Sequence, residues 1–228
     1  MMTSSKSTLF TTAIASLLLL SSLAAQADCD FDDFPMMDEM TVQTVMDDAN
    51  YNNRPMSVRN FYADASYQQV VKYYHKVWKD RYDDTAFGIW HQITTITSKC
   101  MMTVQLAGQT GSPSSGRLII SNPPTATANE NVGEGILAPP DSQIVSDLVT
   151  VDGPKKGRVT MIAAGGSTSE VAAFYRSEMQ NKGWTIDRSF VEQDSRVIAF
   201  RKGLDVTNIV ILPAGDMTQV LINEEIIQ

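Results

Sequence analysis

Two histidines, His75 and His91, are the whole imidazole supply of this 228-residue chain. Either could serve a Ser-His-Asp triad, but no Gly-x-Ser-x-Gly elbow or comparable nucleophile signature accompanies them. His75 falls on the polar side of a helical segment and His91 in a strand-like run beside Trp90. Neither is expected to be catalytic. Asp28, Asp30 and Asp32 alternate ahead of Glu39 and echo a calcium loop. That echo fails at the turn, where Asp33 stands in place of glycine and Pro35 interrupts the loop, so the stretch reads as a solvated acidic terminus.

Met36, Met37 and Met40, with Met101 and Met102 near Cys100, have the softness that Cu(I) favours. Methionine is also the ordinary filler of irregular cores, and adjacent methionines in a strand point to opposite faces. No metal ligand set and no cofactor loop is assigned. Gly165 and Gly166 precede a helix start as a phosphate cradle would, but the Gly-Lys-Ser/Thr of a P-loop is missing. They read as a strand-to-helix turn.

The remaining reactive pair is Cys29 and Cys100, the only cysteines. Their compartment follows from the first 27 residues, which carry Lys6, an apolar core around Leu17 to Leu20 and Ala25-Gln26-Ala27, the pattern of a cleavable secretory signal. Periplasmic or secreted localisation is expected after cleavage following Ala27. In an oxidising compartment the two cysteines read as a disulfide, with a free nucleophilic thiol as the alternative. Asp28 before Cys29 lacks the small residue that lipid anchoring would need.

The chain holds 18 basic and 26 acidic residues, a net charge of −8; loss of Lys6 with the signal makes it −9. Such a balance repels phosphate backbones and argues against a nucleic-acid partner. Lys155, Lys156 and Arg158 form the only basic cluster and sit among turn formers. Beyond the signal no segment is apolar and long enough to be a transmembrane helix.

The elements that must carry these residues are written twice. Sliding the chain by 101 positions superposes Ser66 on Ser167, Gln69 on Glu170, Val70 on Val171, Tyr74 on Tyr175 and Trp78 on Met179. Each copy opens on a capping box, SYQQ and STSE, and continues with apolar residues at helical spacing. Helices are expected over 66–81 and 167–182. Two strand-like runs precede each helix and three follow it, among them GRLIISN and TQVLINE as the best-matched pair.

The expected fold is therefore α+β, two tandem repeats of approximately β-β-α-β-β-β, each an antiparallel sheet with one helix on one face. The expected boundaries are 1–27 for the signal peptide, 28–122 for the first domain, 123–138 for a linker and 139–228 for the second domain. The linker, rich in Pro, Thr, Ala, Asn and Gly, would reach on the order of 25 Å if flexible.

The second copy, APPDSQIVSD followed by GRVTMIAAGGSTSEVAAFYRSEMQNKGW, resembles a module that recurs in secreted and lipid-anchored bacterial envelope proteins lacking an assigned activity. The resemblance implies an envelope protein and carries over no catalytic residue. The function expected is non-catalytic binding of a protein or peptide of the envelope. Small-ligand or copper carriage in the groove between the copies is the alternative, and an unrecognised hydrolase a third. The first helix holds more aromatics than one buried stripe needs, so Tyr67, Tyr73 and Tyr82 are candidates for an exposed interaction surface.

Overall fold

The computed structural model describes residues 29–107, 113–125 and 131–227. The signal sequence lies outside the described residues, as do the loop 108–112 and positions 126–130 of the expected linker. After a short 3-10 turn at Phe31–Asp33 come β1 (Met40–Tyr51), β2 (Arg54–Ala63), α1 (Tyr67–Trp78), β3 (Asp83–Phe87), β4 (Trp90–Ile96), β5 (Met101–Ala107) and β6 (Ser114–Ser121). The second half contributes β7 (Gln143–Asp152), β8 (Lys155–Ala164), α2 (Thr168–Asn181), β9 (Thr185–Glu192), β10 (Ser195–Lys202), β11 (Asp205–Ala214) and β12 (Met217–Ile227).

All twelve strands belong to one antiparallel sheet, in the order β3-β4-β5-β6-β2-β1-β7-β8-β12-β11-β10-β9. This corrects the expected fold class. The chain does not form two tandem β-β-α-β-β-β repeats with a sheet each; the strands of both halves join through β1 and β7 into a single layer. Two strands, β3 and β9, had no counterpart in the sequence reading. Both are sheet edges. Nearly every residue of β9 is exposed, Phe190 and Val191 included, so no alternation of buried and open positions announces it.

Both helices begin as their capping boxes dictate. Ser66 accepts from the Gln69 amide while Gln69 reaches back to the Ser66 amide, and Ser167 and Glu170 repeat the exchange. α2 ends in a Schellman motif: Gly183 adopts φ +83°, its N–H donates to Gln180 and that of Trp184 to Met179. α1 stops earlier than expected, at Trp78. Lys79 turns to φ 54° there, and Asp83 and Asp84 are drawn into β3.

The helices lie on one side of the sheet over two cores. Val70, Tyr74 and Trp78 pack with Phe61, Val104 and Leu118 in the first; Val171, Tyr175 and Met179 pack with Phe200, Ile211 and Val220 in the second. Each core also takes in a strap of irregular chain. Phe31 and Phe34 belong to the first core, and the Tyr74 and Tyr73 hydroxyls donate to the Pro35 and Met36 carbonyls at 3.0 and 2.6 Å. The acidic start is thus tethered by its phenylalanines, between which the aspartates stay outside. In the second half Ile136 and Leu137, from the stretch read as linker, pack on the core and the Tyr175 hydroxyl donates to the Leu137 carbonyl at 3.3 Å. Burial pushes the phenol pKa of both Tyr74 and Tyr175 up, with Tyr73 and Glu224 respectively as lesser causes.

Cys29 and Cys100 are disulfide-bonded across a separation of 71 residues, tying the first strap to the turn before β5. Closing a loop of that length stabilises by about 4 kcal/mol on the chain-entropy account. Replacing both cysteines by serine is expected to lower unfolding free energy by roughly that amount, measured by urea titration, and alkylation of the native protein without reductant should label neither sulfur.

The two halves meet over few residues. Ala49, Asn50 and Tyr51 of β1 pair with Thr150, Val149 and Leu148 of β7. The β1–β2 turn, Asn52-Asn53, has both residues at positive φ, the type I′ geometry that asparagine tolerates. From it the Asn52 N–H donates to the Asp147 carbonyl and the Asp147 N–H donates to Asn52 Oδ1, both at 2.8 Å. The Asp147 carboxylate is buried and accepts from Arg158 Nε at 2.8 Å, Arg158 Nη2 at 3.0 Å and Thr160 Oγ1 at 2.8 Å. Removing that carboxylate deprives a largely buried guanidinium of its bidentate partner, leaving it the Glu134 carbonyl at 3.1 Å and Glu224 across the strand. Asp147→Ala is expected to cost about 3–5 kcal/mol in denaturant unfolding.

Glu224, across from Arg158 on β12, has its pKa raised, first by burial and then by Asp147, against the lowering pull of Arg158 and Lys156. A raised folded value means that its contribution to stability is present below the unfolded pKa and is lost as pH rises through the folded one. Glu224→Gln is therefore expected to raise the melting temperature at pH 8 and to change it little at pH 4.

Candidate functional site

The short β1–β7 seam leaves an opening beside it. A cavity of about 490 Å³ is bounded by Asp47, Asp48, Ala49 and Asn50 of β1, Pro55 to Ser57 of β2, Val149 and Val151 of β7, and Cys29, Ile120 and Asn122. β1 builds this wall because its register with β2 shifts twice, between Thr44 and Met46 and again between Met46 and Ala49. A bulge leaves residues unpaired and turns the strand, and here Asp47 and Asp48 stand exposed where that happens. The Ser57 hydroxyl donates to the Asp47 carbonyl and secures the bulged backbone. Two carboxylates at the rim, amides from Asn50 and Asn122, and valines opposite make a lining that can bind by shape, hydrogen bonds and charge. Its one hydroxyl, that of Ser57, is engaged by the Asp47 carbonyl.

In the sequence this groove is legible only as a gap between copies, and of its lining residues Cys29 alone stands out there, for its disulfide. Asp47-Asp48 within a run of strand formers was the available signal, since paired acids inside a strand are out of place unless the strand bulges or lies at an edge.

A second constellation surrounds the tyrosine candidates. His75 Nε2 donates to Asp84 Oδ2 at 2.7 Å, and His91 Nε2 bonds the other oxygen, Oδ1. Alternation along β4 sends His91 to the same side as Ile93, beneath α1, where its Nδ1 meets the Tyr67 hydroxyl. The ring of Tyr82 stacks on His75 with centroids 4.3 Å apart. Both histidines of the chain thus converge on one carboxylate, framed by two of the three tyrosines. Burial raises the Asp84 pKa, but hydrogen bonds and charge from His91 and His75 outweigh it and hold the carboxyl below its usual range; burial, then Asp84, raises that of Tyr67.

This chain of contacts was missed because Asp84 lies in β3, the edge strand the sequence did not announce. The histidines approach opposite oxygens of one carboxylate at hydrogen-bonding distance, so they brace α1 against β3 and β4. Among the described residues no three His, Cys, Asp or Glu side chains surround a point where a metal ion could sit. Tyr73 stands apart, with its hydroxyl on the Met36 carbonyl. All three tyrosines are half-buried.

The methionines weighed for copper are divided. Met36, Met37 and Met40 pack against the first core and Met102 is part of it, while Met101 points to the other side of β5. Both cysteine sulfurs are in the disulfide and neither offers a thiolate. At α2, the loop of Gly166 and Ser167 faces a smaller cavity that also holds Asp194, Asp216 and Arg196. Glu170 already occupies the free amide of Ser167, which answers the phosphate-cradle reading with an internal carboxylate. No described helix is long and apolar enough to cross a membrane.

Comparison with known proteins gives a partial likeness. A family model described as START domain-like matches residues 144–220, about a third of the chain, from within β7 to within β12. The matched segment supplies Val149 and Val151 of the groove but none of β1. No curated protein and no solved structure matches the chain. The likeness suggests a fold that binds a ligand or a protein.

Proposed function

We propose that the protein is a non-catalytic binding module of the bacterial envelope, periplasmic or secreted, that holds a protein or peptide partner at the groove between its halves. The groove at the β1–β7 seam carries this reading: 490 Å³ of space bounded by strand backbone, two exposed carboxylates and apolar walls. The START domain-like segment forms one of those walls. Support for the compartment comes from the signal-like first 27 residues and from the disulfide, a bond that persists under oxidising conditions. The resemblance of 138–184 to an envelope module agrees with it.

Binding is assigned to the groove in preference to the Tyr67, Tyr73 and Tyr82 face. The hydroxyls of Tyr67 and Tyr73 are engaged within the molecule and the Tyr82 ring covers His75. A small ligand is the second reading, favoured by a volume inside the range of about 300–1,000 Å³ typical of ligand pockets.

In-cell crosslinking from a photoreactive group at Asn122, read by mass spectrometry, tests the assignment. Val151 is 56% exposed, so Val151→Trp can fill the groove without disturbing a core. The same adduct is expected from the wild-type protein and from Tyr67→Ser, Tyr73→Ser and Tyr82→Ser, and is expected to vanish in Val151→Trp. An adduct retained in Val151→Trp, or lost in a tyrosine variant whose melting temperature is unchanged, overturns the groove in favour of another surface. A small metabolite that remains bound in native mass spectra and is lost in Val151→Trp selects the second reading.

A further inference from the structure

We propose that the partner adds a strand to the free edge of β1 and that the added segment is basic. The inference rests on the groove reading and specifies what enters it. β1 pairs with β2 from Met40 to Tyr51, but on its other side only Ala49, Asn50 and Tyr51 have a neighbour in β7. Among the described residues no strand pairs with Met40 to Asp48 on that side. Residues Thr41 to Val45 are all exposed, whichever face of the sheet they point to, as expected of an edge open to solvent.

Met40 to Thr44 is the regular part, in unbroken register with Ala63 to Arg59 of β2, so its outward amides and carbonyls are aligned as a template. An extended peptide can satisfy such a row with main-chain hydrogen bonds and take specificity from alternate side chains. The bulges beyond Thr44 end the template and deliver the peptide to the groove at Asp47 and Asp48.

Charge selects the peptide. Between residues 29 and 53 the chain carries seven acids, Asp30, Asp32, Asp33, Asp38, Glu39, Asp47 and Asp48, and no lysine, arginine or histidine. The last four lie at the two ends of the free edge and are exposed. Lys155, at the nearby β7–β8 turn, is paired with Glu225 at 3.1 Å. Exposed Val42 and Val45 offer apolar contacts between the acidic ends. The same acids oppose edge-to-edge pairing with a second copy, because like charges would face one another.

The test uses the intact mature protein and a short synthetic peptide alternating lysine with valine, read by isothermal titration calorimetry. Binding is expected to weaken at least about tenfold when alternate peptide amides are N-methylated, when lysine is replaced by glutamate, and in the Asp47→Asn, Asp48→Asn double variant. It should also fall steeply with added salt. Melting curves of the double variant confirm that it remains folded, since both acids are exposed. Absence of binding, or binding indifferent to N-methylation, overturns strand addition; if Val151→Trp still blocks the peptide in the latter case, the groove reading survives it. Binding sensitive to N-methylation but unaffected by Val151→Trp upholds the edge and removes the groove. A concentration-dependent dimer that the double variant strengthens and the peptide cannot dissolve would make a second copy the occupant and overturn the proposal.

Discussion

Continuity of the sheet depends on a buried aspartate. Asp147 exchanges two backbone-level hydrogen bonds with Asn52 of the first half while its carboxylate is held by Arg158 and Thr160 of the second. The β1–β7 ladder beside it is only three residue pairs long. A ladder so short is a weak joint by itself, and the clamp concentrates charge-assisted bonds where the ladder stops. Because a buried carboxylate is costly unless its oxygens are occupied, Arg158 and Thr160 must hold Asp147 within the second half, and its backbone N–H and carbonyl are then presented to the Asn52 turn of the first. The two Asn52 bonds extend the three-pair ladder by one turn and favour that register.

The same short seam creates the opening. Strands paired along their full length would leave no cavity at the junction and no free edge on β1. Instead, β1 bulges away before it meets β7, and the space between is lined by strand backbone, exposed acids and valines. Stability is supplied on either side by the two helix-covered cores and by the straps, Phe31 to Met36 and Ile136 to Ala138, that close them. Open space and structural strength thus occupy different parts of the sheet: the flanks are packed and the middle is open.

The histidine brace shows how edge strands hide chemistry from sequence. A five-residue strand with the composition Asp-Asp-Thr-Ala-Phe carries no apolar alternation, so nothing in the chain says that Asp84 will lie between His75 and His91. The tyrosines next to it looked surplus to a single buried stripe because the helix was considered alone. In the folded protein Tyr67 finds the imidazole of His91 and Tyr73 a strap carbonyl, both tens of residues away, while the turn after the helix folds Tyr82 back onto His75.

What the sequence determined by itself is local. The capping boxes at Ser66 and Ser167, the buried stripes through Tyr74 and Tyr175 and the Gly183 stop follow from side-chain hydrogen bonding, helical period and backbone freedom within a few residues, and so does the strand character of ten of the twelve strands. The cysteine pair was legible for a different reason, since the only two cysteines behind a signal-like first segment are expected to bond to each other. Tertiary structure decided whether the sheet would be one or two, where β3 and β9 would lie, and that the stretch between the halves would pack Ile136 and Leu137 into a core. It also decided that Asp47 and Asp48 would border an open edge. These depend on partners tens of residues away, and a strand's pattern records which of its faces is buried without recording which strand lies at its side.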